Sequence, residues 1–185
     1  MRRILTCGII LALSLLPALA EKKSEMKVEE KREKIDQMAK ETLDGLLEQN
    51  AAAKTLYGKA SGYAVFDNLK LSLGLSGGGG SGVAVDKSSG KRTYMKMGTG
   101  GVGLGLGGQK YQLVFLFQTA ERFSAFVEKG WEADAQANAV AGTEGANAET
   151  NFRDGMAVYQ ITDKGLMLQA DIAGTKYWKN KKLNQ

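Results

Sequence analysis

Between Gly74 and Gly108 the chain alternates bare and apolar positions at a two-residue period. Gly101, Gly103, Gly105 and Gly107 interleave with Val102, Leu104 and Leu106, so a strand here carries all its glycines on one face. Gly74, Ser76, Gly78, Gly80 and Gly82 repeat the pattern one strand earlier, and Asp86 to Lys91 supplies a hairpin loop between the two runs. This stretch holds fourteen of the chain's twenty-four glycines. Glycine inside a strand costs roughly 0.5–1 kcal/mol relative to alanine, so the tract forgoes on the order of 10 kcal/mol. A bare face of that cost implies a sharply bent or closed sheet, an element packed unusually close, or a ligand laid against backbone.

The flanking patterns predict the remaining elements. Ile35, Met38, Ala39, Thr42 and Leu46 follow the three-and-four spacing of an amphipathic helix, expected from near Met26 to near Asn50 and covering the sheet. Ala51 to Lys59 reads as a second short helix. Gly62 to Phe66 reads as a strand ending at Asp67-Asn68, and Tyr111 to Phe117 (YQLVFLF) as a central strand buried on both faces. Thr119 caps a short helix with Phe123, Phe126 and Val127 on one side, stopped by Gly130. Ala133, Ala135, Ala137, Ala139 and Ala141 alternate with polar residues, which suits a strand with a uniformly small face; a helix is the competing reading. Gly142 to Gly155 is a polar loop, and Met156 to Thr162 with Leu166 to Ala173 a final hairpin. Lys176 to Lys182 reads as a basic, aromatic tail.

Arg2 and Arg3, an apolar run from Ile4 to Leu16, and Ala18-Leu19-Ala20 have the layout of a secretory signal peptide. The expected organisation is therefore a signal peptide over 1–20, a charged helical region over 21–50 and one domain over 51–185. Export places the protein in the periplasm or peripherally on the envelope. The formal charge of +5 falls to +3 without Arg2 and Arg3, since no acidic residue precedes Glu21. That excess does not point to nucleic acid.

Histidine is absent and the one cysteine, Cys7, lies in the leader. Serine and cysteine nucleophile machinery is thereby excluded, and a transition-metal site loses its usual ligand. Gly77 to Gly82 and Gly98 to Gly103 each match GxGxxG, but strand pattern follows both where a dinucleotide fingerprint needs a helix. Asp67, Asp86, Glu132 and Asp134 remain as carboxylates for a two-carboxylate hydrolase; Asp67 and Asp86 read more simply as turn residues. No catalytic residue, metal or cofactor is assigned. The better candidate is the C-terminal cluster of Lys176, Tyr177, Trp178, Lys179, Lys181 and Lys182. Lysines near an anionic membrane contribute about 1 kcal/mol each, and tryptophan and tyrosine settle at the interface. Lys59, Lys70, Lys91, Arg92 and Lys96 form a second contact if they share a face.

With these residues in view, the chain resembles the lipid-binding SYLF domain family, whose members include yeast actin-patch proteins and exported bacterial proteins. The resemblance rests on ASGYAVF at Ala60 to Phe66, the tract ending GSGVAVD, TYMKMGTGGVGLGLGG, the strand YQLVFLF with the Phe123/Phe126 helix and Gly130-Trp131, and the alanine row. It implies binding to anionic lipid or phosphoinositide through surface residues. Actin is not an expected partner of an exported protein.

The resulting expectation is an α+β fold with N-terminal helices on a strongly curved, mainly antiparallel glycine-rich sheet or partly closed barrel. The expected function is non-enzymatic adhesion to an anionic lipid or membrane surface. The alternative is a periplasmic structural or protein-interaction domain that receives an envelope protein on its glycine/alanine surface.

Overall fold

The computed structural model describes residues 15–133, 151–162, 165–167 and 174–185. Two helices, α1 (Leu15–Gln49) and α2 (Ala51–Lys59), precede strands β1 (Gly62–Asp86) and β2 (Arg92–Phe117). Helix α3 (Ala120–Lys129) follows, then β3 (Trp131–Ala133), β4 (Met156–Thr162), β5 (Gly165–Met167) and β6 (Thr175–Lys179), with a closing 3-10 turn, Lys181–Leu183. The six strands form one sheet in which every pairing is antiparallel, so the fold is α+β. One edge of β2 is shared, with β6 on Met95 to Thr99 and β4 on Tyr111 to Phe117, while β1 lines the other edge.

The glycine tract does not make separate strands. β1 and β2 run unbroken as a ribbon from the Gly62–Phe117 pair to the Val85–Arg92 pair, with one register shift between Leu73 and Leu75. The ribbon is folded over on itself at that shift. A Cβ on Gly78 would stand 2.5 Å from the Leu69 carbonyl oxygen, and Cβ atoms on Gly80 and Gly82 would overlap the carbonyls of Asp67 and Val65. The three contacts are symmetric about residues 73 and 74, so the bulge is the crease. Bulges bend the strand that carries them. The bare face thus serves both a sharp bend and a very close approach of backbone.

Side-chain parity sorts the two cores. Ala64, Phe66, Met95, Met97, Leu113, Phe115 and Phe117 face inward and meet Phe123, Phe126 and Val127 of α3, with Tyr177 and Trp131. Val65, Val83, Val85, Val114 and Leu116 face outward and are covered by Ile35, Ala39, Leu43 and Leu46 of α1 and by Ala53 and Leu56 of α2. This accounts for the unbroken apolar run YQLVFLF: strand residues 113 to 117 are buried on both sides. Phe115 and Phe126 pack with ring centroids 5.4 Å apart. Local signals set the helix ends. The Asn50 side chain accepts from the Ala53 amide at 2.7 Å, Thr119 Oγ1 accepts from the Arg122 amide at 3.2 Å, and Gly130 takes a φ of 74°.

Several expectations need correction. α1 does not start near Met26: it already runs at Leu15, the first described residue. Asp67-Asn68 does not end a strand: these residues pair with Gln112 and Tyr111 mid-ribbon. The C-terminal segment is not a solvated tail, because Thr175–Lys179 is strand β6 and Leu183 is buried. The apolar run of the expected leader up to residue 14, the alanine row beyond Ala133, Asp134, the loop over 142–150, the turn at Asp163-Lys164 and the second hairpin strand over 168–173 lie outside the described residues.

Candidate functional site

Strand alternation divides the predicted C-terminal cluster between two faces. Lys176 and Trp178 point outward from β6, while Thr175 and Tyr177 are buried. Tyr177 is 2% exposed, with its ring 5.0 Å from Phe66 and 5.1 Å from Phe115, so it is core and is withdrawn as an interfacial aromatic. Burial pushes its hydroxyl well above the usual tyrosine range.

Trp178 is 43% exposed and lies over a glycine: its indole Cη2 is 3.1 Å from where a Gly98 Cβ would be. Directly across the ladder from Trp178 stands Lys96, and across from Gly98 stands Lys176. Both lysines are exposed, and Lys176 meets Glu132 of β3 at 3.0 Å. The next positions on this face are Gly77, Gly79 and Gly100, also exposed; a Cβ on Gly77 or Gly100 would meet nothing within 4 Å. The result is a sheet surface with bare positions at Gly77, Gly79 and Gly100 that bears one exposed indole beside Lys96 and the Lys176–Glu132 pair. Lys96 belonged to the second basic group, and its place beside Trp178 follows only from the β2–β6 register.

The other candidates are dispersed. Lys179 has the opposite parity from Lys176 and is held by Glu128 of α3 at 2.5 Å, an ion pair that keeps the Glu128 carboxyl below its ordinary range. Lys181 and Lys182 are exposed in the 3-10 turn, and Lys59 is exposed at the end of α2. Lys70 is half-buried, on the parity opposite to exposed Leu69 and Leu71.

Lys91 and Arg92 instead line a 460 Å³ cavity with Arg32, Tyr94, Lys179 and the C-terminal residues. Its cations are largely engaged. Arg32 donates to the Leu183 and Gln185 carbonyls at 3.0 and 2.9 Å, and Arg92 meets Asp36 at 3.5 Å. Tyr94 donates to Asp36 at 3.0 Å; burial and that hydrogen bond push its hydroxyl up to about 12.

Among the described residues, the carboxylates considered for hydrolysis, Asp67, Asp86 and Glu132, have structural partners. Asp67 meets Lys110 at 3.6 Å in mid-strand, and Glu132 meets Lys176. Asp86 does turn the hairpin, accepting from the Ser88 amide and hydroxyl at 2.8 and 2.6 Å, which lowers its pKa. Both GxGxxG matches lie within strands with no helix following. Among the described residues, no group of three or more His, Cys, Asp or Glu is placed to hold a metal ion, and no helix is long and apolar enough to cross a membrane.

The chain is similar in sequence to known proteins. Residues 98–185 match the family model Ysc84, described as a Las17-binding protein actin regulator. Beta cell expansion factor A of Aeromonas veronii is 46% identical over 156 residues, which is 84% of this chain and 60% of that protein. The chain thus spans less than two thirds of that relative's length. Residues 98–185, from the glycine run of β2 through the 3-10 turn, thus carry a Ysc84, SYLF-type domain match.

Proposed function

We propose that this protein is a non-catalytic, envelope-facing module that adheres to anionic lipid, a phosphoinositide or a bacterial acidic phospholipid, through the outer face of its sheet. The observation that carries this reading is the placement of exposed Trp178 beside Lys96 and the Glu132-paired Lys176, next to the bare positions Gly77, Gly79 and Gly100. An indole prefers the boundary between hydrocarbon and water, and ammonium groups beside it meet the phosphates at that depth. The leader-like start of the chain supports export, and an exported protein does not meet actin, whatever the family description says of other members.

Co-sedimentation with anionic and zwitterionic vesicles at low and high salt tests the proposal. Binding should be confined to anionic vesicles and should weaken with salt, because exposed charges are screened over about 10 Å at 0.1 M. Absence of binding to anionic vesicles at low salt would sink it. A second reading is favoured by the bare outward positions Gly77, Gly79 and Gly100: they could receive a flat protein partner in the envelope. That reading requires association with protein that is insensitive to salt and indifferent to lipid.

A further inference from the structure

Away from Trp178, the outward face carries a row of residues in register across four strands: Asp67 on β1, Gln112 on β2, Ile161 on β4 and Leu166 on β5. Helix α1 passes over this row without filling the space beneath it. A cavity of 330 Å³ remains, floored by Gln112, Ile161 and Leu166 and roofed by Glu41, Thr42, Gly45, Leu46 and Gln49. Gly45 faces it from near the C-terminal end of α1, and a Cβ there would meet nothing within 4 Å. A glycine inside a helix costs stability, so a larger residue here would strengthen α1 and close the gap.

The lining is divided chemically. Leu46, Ile161 and Leu166 offer an apolar end. Glu41, Gln49 and Gln112 offer a carboxylate and two amides. Glu41 is the one charged residue of the lining, and its carboxylate accepts from Gln37 Nε2 at 2.9 Å, a bond that leaves the negative charge in place. A cavity of this volume that joins apolar side chains to a few polar groups has the make-up of a small-ligand site.

We infer that this cavity is a binding site for a single-chain amphiphile with a hydrogen-bond-donating, cationic head: the alkyl chain lies between Leu46, Ile161 and Leu166, and an ammonium group meets the acceptors of Glu41 and Gln112. The site is separate from the Trp178 face and does not depend on lipid adhesion there. The test is calorimetric titration of the full chain with octylamine, octanol and octanoate, with Gly45→Leu as the occluding variant. Octylamine should bind saturably and octanoate at least about tenfold more weakly. Gly45→Leu should lose octylamine binding while its melting temperature holds or rises. Thr42→Trp, on the same lining, serves as a second occluding variant should Gly45→Leu fail to fold. No saturable octylamine binding, or equal binding by the occluded variants, overturns the site; octanoate binding as tight as octylamine overturns its preference for a cation.

Discussion

Gly80 lies against the Asp67 carbonyl, thirteen residues earlier on the same strand, at a distance that leaves no room for a Cβ. Gly77 and Gly79, of the opposite parity, face outward, and an added Cβ on Gly77 meets nothing. The glycines of one tract therefore have two different reasons. Replacing Gly80 or Gly82 with alanine forces two backbone segments apart and should cost roughly 1–3 kcal/mol or more, as overpacking does. Gly77→Ala should be neutral or stabilise by up to about 1 kcal/mol by relieving the entropic cost of glycine. Urea unfolding midpoints measure both; equal effects at positions 77 and 80 would contradict the folded-over ribbon.

The helix caps test the most local level of the fold. Asn50 and Thr119 each satisfy an amide at the start of a helix, Ala53 at 2.7 Å and Arg122 at 3.2 Å. Alanine at either position should lower stability by about 1 kcal/mol. Asn50→Gly should cost only a few tenths, because glycine leaves the amide accessible to water.

The Thr119 cap was legible in sequence because it depends on neighbours within three residues. The same holds for the Asp86 turn, Gly130 and the shared face of Gly78, Gly80 and Gly82. What was not legible depends on distant partners. Asp67-Asn68 resembles a turn locally, but pairing with Gln112 and Tyr111 carries β1 straight through it. Tyr177 and Trp178 look equivalent as adjacent aromatics; only the β6–β2 register sends one into the core and the other outward. The assembly of Lys96 with Trp178 spans 82 positions of sequence, and no periodicity reports it. The cavity beneath Gly45 is likewise a property of how α1 crosses the sheet.

Tyr94 links α1 to β2 through its hydroxyl on Asp36, and its pKa rises to about 12. A folded-state pKa above the unfolded value near 10 means the native state holds its proton longer, so stability is present below pH 10 and is lost as pH rises toward 12. Tyr63 and Tyr177 are shifted in the same direction by burial and add to the loss. The melting temperature should therefore fall between pH 10 and 12, and Tyr94→Phe should flatten that fall while lowering stability at neutral pH through the lost hydrogen bond. A pH profile unchanged by Tyr94→Phe would show that the Tyr94 hydroxyl does not contribute.

Lys96 and Lys176 flank Trp178, whereas Lys59 ends α2 and Lys70 has the opposite parity of β1. If adhesion uses the outer face, these two pairs must differ. Lysines at an anionic surface contribute about 1 kcal/mol each, so Lys96→Gln with Lys176→Gln should weaken vesicle binding on the order of thirtyfold. Lys59→Gln with Lys70→Gln should leave binding near that of the unaltered protein. Trp178→Ala should reduce binding at high salt more than at low salt, because the indole's contribution is not screened while that of the lysines is. Circular dichroism on each variant checks that the sheet is intact. A reversed ranking of the two lysine pairs would move the contact off the Trp178 face, and loss of binding only in Trp178→Ala would make the indole, not the charge, the principal anchor.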